Sequence, residues 1–155
     1  MADDIETRLG ELGIELPETA ASVANYVPVA RTGDLLFVSG QLPMEDGKVV
    51  WTGTVGDLLS IEEGAEAARL CGINMLAQLR AALDGDLNRV KRVVRLGGFV
   101  ASAGDFTAQP QVINGASDLM VDLFGELGRH ARAAVGVSVL PLGAAVEVEG
   151  LFEAP

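Results

Sequence analysis

The chain of 155 residues carries one cysteine, one histidine, one tryptophan and one tyrosine. A lone cysteine, Cys71, excludes an intrachain disulfide, which fits a reducing compartment. One cysteine and one histidine cannot supply the ligands of an ordinary zinc site, so no metal centre is expected. Positive charge is also scarce. There are 11 Lys and Arg against 22 Asp and Glu, a net charge of −11, and no basic cluster extends beyond Lys91-Arg92. Nucleic-acid binding draws much of its affinity from phosphates neutralised by Lys and Arg, so RNA, DNA and anionic membranes are poor partners for this chain. No run of about 18 apolar residues occurs that could span a membrane, and the acidic N-terminus lacks an apolar signal core. These absences predict a cytoplasmic protein, and the length predicts a single domain.

What the chain does contain is apolar sequence, 49% of residues, and 19 glycines, which favour tight turns and close backbone approaches. Residues 3–12 read as a short acidic helix followed by a linker containing Pro17. Residues 1–20 are thus expected to be an extension ahead of a single domain over 21–155. Residues 26–31 and 35–40 are β-rich runs around a Thr32-Gly33-Asp34 turn, and residues 48–54 suggest a third short strand. Ser60 followed by Glu63 forms a capping box for a helix running to about residue 83. Its buried stripe is Ile61, Ala65, Ala68, Gly72, Met75, Leu79 and Leu83, with Cys71 as a small core residue and Glu62, Glu66, Arg69 and Arg80 solvated. Residues 90–102 form the next strand and 103–110 a loop. Residues 112–127 make a second amphipathic helix that turns Val112, Ala116, Leu119, Met120, Leu123 and Leu127 inward, with Gly128 just past its end.

Two more apolar runs, 131–139 and 144–152, are joined by a Leu140-Pro141-Leu142-Gly143 turn. The order β-β-β-α-β-α-β-β predicts an α+β fold, one sheet with both helices on one face. The strand residues are apolar on both sides, so the second face needs cover. Other copies of the chain are expected to provide it, in a homo-oligomer.

No nucleophile triad, phosphate loop or metal-ligand cluster is visible. The informative stretch is 130–149, where a guanidinium and two carboxylates lie on otherwise apolar strands. Arg132, Ala134, Gly136 and Ser138 share one face, small residues around one cation that leave room for a small ligand. Glu147 and Glu149 share a face of the next strand, with Val146, Val148 and Phe152 opposite. Arg132 could pair with one of these carboxylates across the strands. Alternatively, Arg132 could bind a substrate carboxylate bidentately while Glu147 positions or deprotonates a water. His130 reads as a cap or surface residue.

The residues resemble the Rid family, also called YjgF or L-PSP endoribonuclease-like. The resemblance covers residues 26–153. It rests on Tyr26 followed by Gly33-Asp34, on Phe37-Val38-Ser39-Gly40-Gln41-Leu42-Pro43, on Asn114 at the start of the second helix, and on Arg132, Leu140-Pro141 and Val146-Glu147-Val148-Glu149. It implies a chorismate-mutase-like fold and a homotrimer whose sheets pack in a barrel-like centre, with pockets between neighbouring subunits. It also implies hydrolysis of reactive enamines and imines, such as 2-aminoacrylate, to 2-keto acids and ammonia. No cofactor is needed, because an imine carbon is already electrophilic. In that reading Arg132 holds the substrate carboxylate with help from the backbone around Gly40, Glu147 orients the attacking water, Tyr26 and Ser39 line the pocket, and Asn114 supports its wall. The chain departs from the pattern at Ala134, where deaminase members more often carry a Cys or another polar residue, and at Val27-Pro28 after Tyr26. Two other readings remain at this point. One is a trimer that binds 2-keto-acid-type metabolites without turnover. The other is a ribonuclease or translation inhibitor, which the charge opposes.

Overall fold

The computed structural model describes residues 4–19 and 25–155. The secondary structure comprises helices α1 (Ile5–Glu11), α2 (Ile61–Ala82) and α3 (Gln109–Phe124), and strands β1 (Val29–Thr32), β2 (Leu35–Gln41), β3 (Met44–Glu45), β4 (Lys48–Val49), β5 (Arg92–Ala101), β6 (Ala131–Val137) and β7 (Val146–Glu153). The main sheet has the order β1-β2-β7-β5-β6, and β3 and β4 form a separate small hairpin. Every pairing in the main sheet is antiparallel except β5 with β6, which α3 connects. This is the expected α+β architecture, with α2 and α3 packed together on one face of the sheet. Among the described residues, no helix is long and apolar enough to cross a membrane.

Local sequence explains most of these elements. Gly33, at φ 57°, takes the first place of the two-residue turn between β1 and β2, which Thr32 opposite Leu35 closes. The Ser60 hydroxyl accepts from the Glu63 backbone N–H, and the Glu63 carboxylate accepts from that of Ser60, so the capping box is complete. The core lies between sheet and helices. Leu36, Val93, Leu96, Val148 and Phe152 of the sheet meet Cys71, Met75, Leu79, Ile113 and Met120 of the helices, all essentially without solvent contact. Cys71 is a core residue, and burial, with Glu147's charge second, pushes its thiol well up, so it stays protonated. Residues 4–16 share this core through Ile5, Leu9, Ile14 and Leu16. The Ile5 backbone N–H donates to Asn88 Oδ1, and Arg8 Nε donates to the Asp122 carbonyl.

Three local expectations are corrected. Tyr26 is not in a strand: β1 begins at Val29, after Pro28, which has no N–H to offer a ladder. The third strand expected over 48–54 is absent from the main sheet. Lys48–Val49 pairs only with Met44–Glu45, and the chain beyond runs as a loop with Gly53 and Gly56 at φ 105° and 106°, values that extended structure does not use. The second long helix begins at Gln109, not at residue 112, because Pro110 fits a helix's first turn. It ends at Gly125 (φ 61°), not ahead of Gly128, and residues 125–128 form a 3-10 turn.

The register fixes which way each side chain points. Arg132 is level with Leu96, a fully buried residue on the helix-covered face. Glu147 and Glu149 are level with Phe99 and Gly97, one residue out of phase with buried Val146 and Val148. Arg132 and the two glutamates therefore project from opposite faces of the sheet.

Candidate functional site

Two groups of polar residues surround the positions singled out by sequence. The first lies where the edge strand β6 meets α3. Arg132 Nη1 donates to Asn114 Oδ1 at 2.8 Å and to Ser117 Oγ at 3.1 Å, and Nη2 donates to the Pro110 carbonyl at 3.3 Å. Asn114 and Ser117 reach the same guanidinium because they are three residues apart on one helical face. Three of the five guanidinium N–H groups are thus held, leaving Nε–H and one Nη2–H without a partner among the described residues. Arg132 makes no ion pair among the described residues. The carboxylate that finds a cation is Glu149, 3.8 Å from Arg95 on the open face. The cross-strand pairing of Arg132 with Glu147 or Glu149 is therefore excluded by the register. The room expected beside Arg132 is also smaller than the small residues suggest, because Gln109 and Ser102 fill the space next to Gly136.

The second group lies on the open face of β2 and β7. Between Val38 and Gln41, β2 takes three residue steps against two on β7, from Gly150 to Val148, so a β-bulge falls at Ser39-Gly40. The bulge brings the Gly40 backbone under the Glu147 side chain: a Cβ at Gly40 would lie 2.8 Å from Glu147 Cδ. Glu147 is half-buried. Burial first, and the like charge of Glu149 second, push its carboxyl above the usual range, and among the described residues no hydrogen bond offsets them. Ser39 donates its hydroxyl to the Val27 carbonyl at 2.9 Å and its N–H to the Pro28 carbonyl at 2.9 Å. It thereby ties the segment carrying Tyr26, itself 60% exposed, to the same strand.

The chain thus brings Arg132 together with Asn114, and Glu147 with Gly40 beside the strand holding Ser39 and Tyr26, but it does not unite the two groups. Grooves of about 740 and 700 Å³ in the single chain, beside α2 and α1, touch neither Arg132 nor Glu147. Sequence reasoning missed Ser117, although its spacing from Asn114 on a helical face was visible. It read His130 as a cap or surface group; Nδ1 does meet the Gly128 carbonyl at the end of the 3-10 turn, at 2.6 Å, and the contact the sequence did not disclose is that of Nε2, 2.8 Å from Ser117 Oγ.

The open face carries exposed apolar residues beside Glu147, Glu149 and Arg95. Phe37 and Val135 are 48% and 45% exposed, large values for strand residues flanking a site.

Comparison with known proteins gives one consistent picture. The family model described as "YjgF/chorismate_mutase-like, putative endoribonuclease" matches residues 6–153. Protein TCP17 of Trypanosoma cruzi is 53% identical over 150 residues, covering 96% of this chain and 93% of that protein. The RutC family protein y4sK of Sinorhizobium fredii is 33% identical over 139 residues, covering 90% and 94%. Among solved structures, protein Atu1372 of Agrobacterium tumefaciens superposes with a TM-score of 0.92 at 52% identity, covering 99% of this chain and 94% of that one.

Proposed function

Since the chain belongs to the YjgF/chorismate-mutase-like family, we propose that it is a cofactor-free deaminase of small 2-imino acids, working as a homotrimer with its sites between subunits. The observation that carries this reading is the Arg132 guanidinium, held on three N–H groups with two left over, a preorganised receptor for one carboxylate. The intersubunit placement is supported by the opposed faces of Arg132 and Glu147: one chain presents each half, and a neighbouring copy seated on the exposed Phe37–Val135 face would bring the complementary half.

In this reading Arg132 and the backbone around Gly40 bind the carboxylate of a 2-imino acid, with Tyr26 and Ser39 lining the pocket and Asn114 bracing Arg132. Glu147, as carboxylate, accepts a proton from a water that attacks C2. The imine nitrogen takes up protons, the C2–N bond of the resulting carbinolamine breaks, and ammonia and the 2-keto acid leave. The iminium carbon supplies the electrophile, so general-base positioning is sufficient. The description of the family as an endoribonuclease suits this chain poorly, because a net charge of −11 repels a phosphate backbone.

The test is ammonia and keto-acid release from freshly generated 2-iminobutanoate and 2-iminopropanoate. Acceleration over buffer is expected. A folded, trimeric protein that gives none would sink the deaminase reading, and saturable binding of 2-oxobutanoate without turnover would favour a metabolite-binding protein.

Two further results are expected. Glu147 works deprotonated and its carboxyl is held above the usual range, so the acid limb of kcat lies above the ordinary Glu value of about 4.3. Glu149→Gln removes the like charge and moves that limb to lower pH; a limb that stays put would show that Glu149 does not act on Glu147. Gly40→Ala places a methyl against the Glu147 carboxylate. The carboxylate is the free end of a flexible side chain, so stability changes by less than about 1 kcal/mol, while turnover falls roughly tenfold as the carboxylate is displaced. Unchanged turnover would exclude Glu147 from the reaction.

A further inference from the structure

The surroundings of Arg132 contain a group that neither the family resemblance nor the proposed chemistry uses. His130 Nδ1 is 2.6 Å from the Gly128 carbonyl, and His130 Nε2 is 2.8 Å from Ser117 Oγ. A carbonyl only accepts, so Nδ1 carries a hydrogen, and in a neutral imidazole Nε2 is then bare. Nε2 consequently accepts from the Ser117 hydroxyl. The Ser117 oxygen is left with its lone pairs for Arg132 Nη1, at 3.1 Å. The direction of each hydrogen bond is set by the one before it, from the Gly128 carbonyl to the guanidinium. The first acceptor is itself immobile. A Cβ at Gly128 would lie 2.2 Å from the Met120 carbonyl oxygen, so the turn after α3 is packed directly on that helix's backbone.

We propose that His130 and Ser117 are positioning residues, a relay that fixes the rotation of the Arg132 guanidinium so that its two remaining N–H groups face a substrate carboxylate. The proposal rests on the reading of Arg132 as that carboxylate's anchor. Without His130 the Ser117 hydrogen has no fixed acceptor, so the lone pairs of its oxygen are no longer aimed at the guanidinium, and Asn114 and the Pro110 carbonyl are left as the fixed acceptors of Arg132. Ser117 and His130 have the spacing of a nucleophile and its base, but Ser117 lies inside α3 and its oxygen already accepts from a cation, which lowers its nucleophilicity.

The chain has a single histidine, so a long-range ¹H–¹⁵N spectrum of the histidine-labelled full-length protein contains one imidazole. The Nδ1–H tautomer is expected; an Nε2–H tautomer, or an imidazolium with both nitrogens protonated, overturns the relay. Kinetics with 2-iminobutanoate supply the second readout. Ser117→Ala and His130→Ala each raise KM on the order of tenfold with kcat within about twofold, and the double variant is no worse than either single one. His130→Gln, whose amide oxygen can replace Nε2 as acceptor, restores KM. His130→Asn, which reaches only the Gly128 carbonyl, does not. Additive losses, or wild-type KM in His130→Asn, overturn the proposal.

If the wild type neither turns over imines nor binds 2-oxobutanoate, the deaminase reading fails on its own, and the relay is still decided by the Arg132 ¹⁵Nη resonances. Slow rotation that resolves them in the wild type and is lost in Ser117→Ala and His130→Ala supports the relay. Fast rotation in the wild type overturns it.

Discussion

Arg132→Ala is expected to lower kcat/KM for 2-iminobutanoate by about 10²- to 10³-fold, the range for losing a hydrogen-bonded charge that anchors an oppositely charged ligand. The loss is large because the guanidinium is held before the ligand arrives: Asn114, Ser117 and the Pro110 carbonyl have already restricted a side chain that would otherwise be ordered at the cost of binding energy. Arg132→Lys should recover little of it, since an ammonium cannot reach three fixed acceptors and also present two parallel donors. The fold should survive either change. Arg132 is only partly buried, on an edge strand, and the acceptors it releases lie at the protein surface or within reach of water. Circular dichroism and an oligomeric state like the wild type, together with collapsed activity, are the expected pair of results. Retained activity would move the carboxylate anchor elsewhere.

The largest effect on stability is expected at a residue remote from any chemistry. A Cβ at Gly115 would lie 2.0 Å from the Ala65 carbonyl oxygen, across the contact between α2 and α3. In an isolated helix, Gly→Ala gains up to about 1 kcal/mol. Here the obstacle is backbone, which cannot rotate aside as a side chain does. The helices must separate, loosening Val112, Ala116 and Met120 from the core. Gly115→Ala should therefore cost roughly 3 kcal/mol net, a drop in Tm of about 6–12 °C for a chain of this size. Gly72→Ala is the control. Its nearest neighbour is the Leu119 Cδ2 methyl at 3.0 Å, which can shift, and its cost should be about 1 kcal/mol or less. Equal melting temperatures for the two variants would mean that the helix crossing is looser than the structure has it.

The contrast between Arg132 and Gly115 also marks what a sequence can tell. Periodicity located α2 with its cap at Ser60, and it placed Arg132 and Gly136 on one side of their strand and Glu147 and Glu149 together on theirs, because these patterns are local. Whether two such sides coincide depends on strand order and register. β5 lies between β6 and β7, and the pairing of Leu96 with Arg132 decides that the arginine looks toward the helices while Glu147 looks away. These are contacts between residues far apart in the chain, and no local pattern encodes them. The same holds for the bulge at Ser39-Gly40, whose extra residue is defined only against β7, and for Gly115, whose need to be glycine is set by Ala65 on another helix. The misjudged starts of β1 and α3 have a different cause: Pro28 and Pro110 act as boundaries whose exact placement depends on which neighbouring groups require a hydrogen bond.

In the proposed homotrimer the back-to-back placement of Arg132 and Glu147 has a genetic meaning. In a closed ring where each site takes its cation from one copy and its carboxylate from the next, a chain with a lesion on one face is not simply dead: it still lends its intact face to a neighbour. Two inactive alleles, one damaged at each face, would complement each other when expressed together, and random mixing in equal amounts would restore about one site in four.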